Sequence, residues 1–349
     1  MDSFVPARLR RAQLSRGLTL LMAGLLLAAC TTVSGGASPD GGTTVATASV
    51  TPSGTLRLYS SVTQDTIDAV VAAYNRANPG VSIEVFRAPT GQLDGRIAGE
   101  LRSGGVSADL LWATDPLSVQ AYAARGLFAA WTPAEATSVP EQDRADTFWG
   151  TRLLNLVIVH APGMANPPTD WRDLTDSALA GKVAIPDPGF AGSAFGALGY
   201  FASTDGYGMA YYRALKANGA VQVQSVTDTL NGVAEGQFLA GITLDKSARD
   251  AIAAGSPVEM TWPASGAIAI YSPIAVWKDA ANPVAARSFV DFVLSPAGQA
   301  AIASTGWQPI RSGVDGAPSA AGAQVSPDWA ALFDHQDQLL SDYRSVFGG

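Results

Sequence analysis

Cysteine and histidine are nearly missing from this 349-residue chain, which has one cysteine, Cys30, and two histidines, His160 and His335. A lone cysteine excludes an intrachain disulfide framework. Two histidines far apart in sequence leave no His-rich cluster for a metal, so no metal site is expected. Lys and Arg number 22 against 30 Asp and Glu, a net charge of −8. That balance gives no support to nucleic acid as a partner and offers no basic face to anionic lipid. Gly-x-Ser-x-Gly, His-Glu-x-x-His and a phosphate loop ending in Gly-Lys-Ser/Thr are all lacking, so neither an enzyme nor a bound cofactor is expected. What the chain has is 47% hydrophobic residues, 36 glycines and 21 prolines. That is core material for one large or two moderate domains, cut into short elements.

One long apolar run, Leu18–Cys30, follows Arg8, Arg10, Arg11 and Arg16. A basic segment, a short apolar stretch and the small residues Ala28 and Ala29 make a secretory signal. The run is too short for a comfortable membrane span. Leu27-Ala28-Ala29-Cys30 looks like a bacterial lipoprotein signal. It implies cleavage after residue 29, lipid on Cys30 and a mature protein held outside the cell membrane. Residues 30–53 are nearly all Thr, Ser, Gly, Ala, Val and Pro and bury too little to order themselves, so they read as a tether.

From residue 54 the pattern is strand, helix, strand, helix, strand: Thr55–Ser60, a helix through Ile67 and Tyr74, Val81–Phe86, a helix from Thr90-Gly91 to Ser103, and Ala108–Trp112. Short connections make these βαβ units of a parallel sheet. Ligands of such sheets sit beyond the carboxyl ends of the strands, which gathers Ser60, Ser61, Thr90, Gly91, Thr114 and Asp115 on one rim. A second unit begins near Leu153. Its elements are strands Leu153–Val159, Gly181–Pro186, Val221–Gln224 and Leu239–Leu244, a short surface helix at Trp171–Leu174, and helices after Gly192, Gly206, Ser225 and Asp245. Its rim holds Ser193, Ser225, Thr227 and Asp245. Ala267–Trp277 returns as a strand interrupted by Pro273, and Asn282 and Pro283 cap a helix running to Leu294.

Leu58-Tyr59-Ser60-Ser61, Ala77-Asn78-Pro79-Gly80, Asp109–Trp112, Gly126-Leu127-Phe128, Trp171–Leu174, Gly181–Asp187, Gly192-Ser193-Ala194 and Leu294–Gln299 occur in this order over residues 55–300. The ordered set resembles the extracellular solute-binding proteins of ABC importers, in particular the group that binds ferric iron, phosphonates, organophosphates, thiamine or polyamines. The resemblance implies an α/β, periplasmic-binding-protein-like type II fold. In that fold two α/β lobes enclose a ligand cleft and are joined by two hinge crossings, here near Gly150–Val159 and Trp262–Val276. The first lobe is then 54–150 with 268–349, and the second 151–267. The implied role is non-enzymatic capture of a small solute for a membrane permease, by a monomer on the outer side of the membrane.

Hydroxyls and free N–H groups at several helix starts favour a ligand rich in oxygen, such as a phosphonate or organophosphate-like anion or zwitterion. The expected contacts are Ser60, Ser61, Thr90, Gly91, Asp115, Ser193, Ala194, Ser225, Thr227, Asp245 and Lys246. The two acids are there for an ammonium and Lys246 for an anion. A polyamine or thiamine would instead use aromatic walls, with Tyr59, Trp112, Trp149, Trp262 and Tyr271 as candidates. Ferric iron is disfavoured because Leu244–Ser247 lacks the tyrosines of ferric-binding relatives. Tyr211 and Tyr212, adjacent on a helix, point about 100° apart and read as packing. A sensory lipoprotein on the same fold is the remaining alternative.

Overall fold

The computed structural model describes residues 51–348, so the signal, Cys30 and most of the tether lie outside the described residues. Strands β1 (Gly54–Ser60), β2 (Val81–Arg87) and β3 (Leu110–Trp112) alternate with helices α1 (Gln64–Ala77) and α2 (Thr90–Arg102), and α3 (Pro116–Ala123) follows. After β4 (Phe148–His160) come β5 (Val183–Pro186), α4 (Gly192–Ser203), α5 (Gly208–Ala217), β6 (Val221–Val223) and α6 (Val226–Ala234). Then follow β7 (Ala240–Leu244), α7 (Asp245–Ala253), β8 (Glu259–Thr261) and β9 (Ala267–Val276). The chain ends with α8 (Pro283–Leu294), α9 (Pro296–Ser304), two short strands, α10 (Trp329–Leu332) and α11 (Gln336–Phe347).

The strand order is β2-β1-β3-β9-β4-β7-β5-β6. β1 pairs in parallel with β2 and β3, and β5 with β6 and β7. The two parallel trios are the sheets of two lobes. Between them β4 and β9 run antiparallel, β9 against β3 and β4 against β7. These two strands carry the chain from one lobe to the other, within the two stretches where crossings are expected. All thirteen residues of β4 but Leu153 are buried, as are all ten of β9, as required of strands covered on both faces.

Two local readings change. Pro273 does not interrupt β9: it sits opposite Gly150, where β4 shifts register between Gly150 and Leu153. A residue without an N–H is tolerated where the partner strand bulges. The helix at Trp171 is a short 3₁₀ segment, Trp171–Thr175, with its apolar side turned inward and Arg172 exposed. Trp171 and Leu174 are fully buried, and the indole donates to the Gly266 carbonyl at 3.0 Å.

The tail differs more. Residues 268–349 are expected in the first lobe, yet α11 packs on the second. Tyr343 meets Tyr212 edge-on at 5.1 Å, and its hydroxyl donates to Gln222 at 3.2 Å. Trp329 on α10 meets Tyr271 of β9 at 5.7 Å. The cause is α4, whose residues 192–201 are all buried. A helix apolar all round needs cover on its outer side, and Trp329, Leu332, Leu339 and Tyr343 supply it.

Asn282 caps α8 as its sequence predicts: Oδ1 accepts from Ala285 N at 3.2 Å. Its amide also donates to the Ser53 and Thr55 carbonyls, at 2.8 and 3.1 Å, fastening the start of β1. Asn282→Ala is expected to lower unfolding free energy by about 1–2 kcal/mol in urea titration, since a cap and two further bonds go together.

Candidate functional site

Between the lobes lies a cavity of about 380 Å³. The lobes already touch on both of its flanks. On one side the Gly91 N–H donates to the Phe190 carbonyl at 3.2 Å. On the other, Lys246 Nζ reaches Asp65 at 3.2 Å, and Arg249 donates to the Gly306 carbonyl at 2.9 Å. Burial draws the Lys246 pKa down, but the Asp250 and Asp65 carboxylates outweigh it, leaving the ammonium raised.

Five helices begin at this cavity, because each follows a strand whose carboxyl end points into the cleft. Lining residues include Thr63 before α1, Pro89 and Thr90 at α2, Ala191, Gly192 and Ser193 at α4, Ser225, Val226 and Thr227 at α6, and Leu244 and Ser247 at α7. Helices α1, α2, α4 and α7 have no N-cap side chain, although on α1 Thr66 N donates to Asp65 Oδ1 at 2.8 Å and on α2 Gly91 N is spent on the Phe190 carbonyl. On α6 the Ser225 hydroxyl accepts from Asp228 N at 3.2 Å and donates to its carboxylate at 2.9 Å. Across the first lobe's wall, Thr114 Oγ1 lies 3.3 Å from Ser61 Oγ and 3.1 Å from Thr90 Oγ1.

Of the residues expected at the ligand, Ser61, Thr90, Ser193, Ser225 and Thr227 line the cavity, and Thr114 from the same rim joins them. The others are drawn into different tasks. Ser60 is fully buried, donating to the Trp112 carbonyl at 2.7 Å and accepting from Val62 N at 3.1 Å. Gly91 forms the interlobe contact: a Cβ there would lie 2.7 Å from the Gly189 carbonyl oxygen. Ala194 is buried one residue behind Ser193. Asp245 is buried, which raises its pKa against the pull of Arg249, whose Nη2 lies 3.2 Å away. Lys246 spends its charge on Asp65 and Asp250.

Asp115 caps α3, its Oδ1 accepting from Ser118 N at 2.8 Å. Its Oδ2 is buried without a partner. A Cβ on Gly192 would collide with that oxygen and with the hydroxyls of Thr114 and Thr90, so only glycine fits there. Burial, with Asp94 as a like charge nearby, pushes the Asp115 carboxyl up to about 7.

The residue that sequence reasoning missed is Arg152 on β4. It lines the cavity and is fully buried. Nη1 donates to Thr66 Oγ1 at 3.1 Å, while Nε and Nη2 are buried with no partner. Its guanidinium carbon lies 4.3 Å from the centre of the Trp307 ring. Among the described residues no carboxylate comes within ion-pair distance of it. Burial lowers its pKa to about 9, with Asp65 partly opposing, so it stays charged at neutral pH. An unpaired buried charge costs several kcal/mol. It is tolerable where an anion completes it. Arg87 also lines the cavity, leaving Asp228 as the only carboxylate in the lining. The arrangement can hold oxygens of a negatively charged solute through N–H, O–H and guanidinium donors. None of Tyr59, Trp112, Trp149, Trp262 or Tyr271 lines it, and Tyr211 and Tyr212 are buried among helices. Among the described residues no group of His, Cys, Asp and Glu could hold a metal ion.

Residues 56–308 match the family model described as bacterial extracellular solute-binding protein. Molybdate-binding protein ModA of Mycobacterium tuberculosis is 28% identical over 299 residues, 84% of this chain and 97% of its own length. An uncharacterized protein of Haemophilus influenzae is 31% identical over 139 residues, and the match spans 39% of this chain and 40% of that protein. Iron-bound HitA from Pseudomonas aeruginosa shares the fold with a TM-score of 0.73 at 22% identity, covering 84% of this chain and 99% of HitA. AfuA from Actinobacillus pleuropneumoniae, with fructose-6-phosphate bound, has a TM-score of 0.75 at 20% identity, covering 83% and 98%. Iron-binding proteins are prominent among these structures.

Asp115 generates a pH test. A carboxyl whose folded pKa lies above its unfolded value keeps the most stability below the unfolded pKa. It loses stability as pH rises to the folded pKa and is flat beyond. The melting temperature of Asp115→Asn minus that of the wild type is therefore expected to grow from about pH 4 to about pH 7 and then level off. A difference independent of pH contradicts the assignment.

Proposed function

Because the chain belongs to the bacterial extracellular solute-binding proteins, two-lobed binding components of ABC importers, we propose that it captures a small oxyanion between its lobes and presents it to a membrane permease. The observation that carries this reading is Arg152, a fully buried guanidinium in the cavity wall with two donors that no protein group satisfies. The uncapped starts of α4 and α7 and the hydroxyls of Ser61, Thr90, Thr114, Ser193 and Thr227 supply further donors, in keeping with the affinity of helix N-termini for anions. Phosphonate and organophosphate-like anions fit these donors, as does molybdate, the ligand named for the mycobacterial relatives. The zwitterion version loses its basis, since Asp115 and Asp245 are committed elsewhere and only Asp228 remains for an ammonium. The same lack of acids counts against polyamines and thiamine.

Ferric iron is a second reading, favoured by the iron-bound structures of the same fold, one of them in complex with iron and citrate. With no acid or tyrosine cluster in the lining, iron would enter as an anionic chelate whose oxygens meet Arg152.

The test is calorimetric titration of the full chain with molybdate, phosphate, phenylphosphonate, glycerol phosphate, citrate and ferric citrate. Arg152→Met is expected to cost about 3 kcal/mol of oxyanion affinity, roughly a hundredfold. It should leave the unfolding midpoint equal or raised, because an unpaired buried charge is replaced by apolar atoms. Unchanged oxyanion affinity in this variant sinks the reading. Binding of ferric citrate with no response to citrate or any other oxyanion favours iron.

The extracytoplasmic site of action follows from the family, and lipid attachment at Cys30 is proposed on the Leu27–Cys30 sequence. Cells grown with radiolabelled palmitate should label the protein and not its Cys30→Ser variant. The variant should appear in the soluble extracytoplasmic fraction, and equal labelling of both disproves the anchor.

A further inference from the structure

We infer that Asp65 is a transferable counter-ion, which balances Arg152 while the lobes are apart and is taken over by Lys246 as they meet. Asp65 and Lys246 thereby set the affinity for an anion without touching it. This rests on the oxyanion reading above and adds how capture is coupled to closure.

The three groups come from three parts of the molecule. Asp65 lies in the first turn of α1 in the first lobe, Lys246 in the first turn of α7 in the second, and Arg152 on β4 between them. Asp65 Oδ2 is 3.2 Å from Lys246 Nζ. Asp65 Oδ1 accepts from Thr66 N at 2.8 Å and lies 3.5 Å from Thr66 Oγ1. Arg152 donates to that same hydroxyl at 3.1 Å. One hydroxyl therefore separates the carboxylate from the guanidinium. Trp307 sees both cations as well, with the Arg152 guanidinium carbon 4.3 Å and Lys246 Nζ 5.7 Å from its ring centre.

Thr66 holds Arg152 to the first lobe, as does Trp307, whose indole donates to Thr63 at 3.3 Å. When the lobes part, Arg152 and Asp65 thus stay together and Lys246 leaves with α7. Asp250, the other partner of Lys246 at 2.6 Å, is on α7 too and leaves with it. Asp65 then acts on Arg152 undiminished, and a carboxylate so near competes with any solute anion for the guanidinium. Closure reverses both effects. It neutralises the competing carboxylate and brings a second cation to the indole that carries Arg152. Such coupling is reciprocal, so a bound anion favours closure by the factor by which closure favours the anion.

The test is calorimetric titration of the full chain, as wild type, Lys246→Met, Asp65→Asn and the double variant. The probes are molybdate, phosphate, phenylphosphonate, glycerol phosphate and citrate. With the tightest of them, Lys246→Met is expected to lose tenfold or more in affinity, since Asp65 is left to Arg152. Asp65→Asn loses the contact and the competitor together, so its affinity should stay within threefold of wild type. Adding it to Lys246→Met should restore at least fivefold. Lys246→Arg, which keeps the charge, should also bind within threefold of wild type. A contact that merely holds the lobes together predicts equal losses in Lys246→Met, Asp65→Asn and the double variant. That pattern, an affinity unchanged by Lys246→Met, or a loss in Lys246→Arg as large as in Lys246→Met overturns this inference and leaves the oxyanion reading standing. If none of the five probes binds the wild type, the oxyanion reading falls and takes this inference with it.

Discussion

The antiparallel ladder between β4 and β9 is the constraint on which the rest of the molecule depends. Each strand adjoins one parallel trio, β9 that of the first lobe through β3 and β4 that of the second through β7, and the two pair with each other. Their hydrogen bonds hold the lobes in register while allowing the sheet to twist between them, so the cleft inherits its position from a pair of strands rather than from a flexible linker. Cross-strand polar contacts tighten this ladder where it meets the first lobe. The Trp112 indole donates to Thr151 at 2.9 Å, and the Thr151 hydroxyl donates to the Ser272 carbonyl at 2.8 Å. Arg152 follows directly after Thr151. The residue that carries the binding chemistry is therefore built into the element that joins the lobes.

That placement explains how a charge can be kept dry. On a loop, a guanidinium with two idle donors would swing toward water, because long side chains snorkel. On β4 it is held by strand neighbours, by Thr66 Oγ1 and by the Trp307 ring. The helix starts complement it. Each contributes only partial charge and falls off within a turn, but several directed at one cavity make an environment that favours an incoming anion. The acids of the rim are engaged elsewhere: Asp115 is turned to cap α3, Asp245 is set beside Arg249, and Asp65 is held by Lys246.

The architecture was legible in the sequence wherever local signals are strong. Gly, Asn and Pro mark the ends of most elements, and Asn282-Pro283 announced both the cap and the first turn of α8. Six of the cavity's hydroxyl residues followed from one rule, that ligands gather at the carboxyl ends of parallel strands. What stayed hidden depends on tertiary placement. Asp115-Pro116 is a helix-start pattern, so its carboxylate belonged to the backbone before any ligand was in question, and that signal was available. Arg152 lay one residue outside the apolar run read as a strand. A charge beside a run destined for burial is itself a sign of function, because Arg is almost never fully buried unless paired. Trp307 and the Lys246–Asp65 contact bring together residues too distant in sequence for any periodicity to join them. The tail's return to the second lobe was invisible because α11 alone looks like any amphipathic helix.

The same ladder also fixes when the molecule can exist. β3 has no partner on its inner edge until β9 is made, more than 150 residues later in the chain, and β4 waits across a comparable distance. α4 stays uncovered until α10 and α11 arrive. Structures dominated by such non-local pairings close slowly, since long loops must be ordered before their contacts repay the entropy. The first lobe therefore cannot complete itself until β9, the strand that finishes it, has been made, and the cleft is among the last features of the molecule to be assembled.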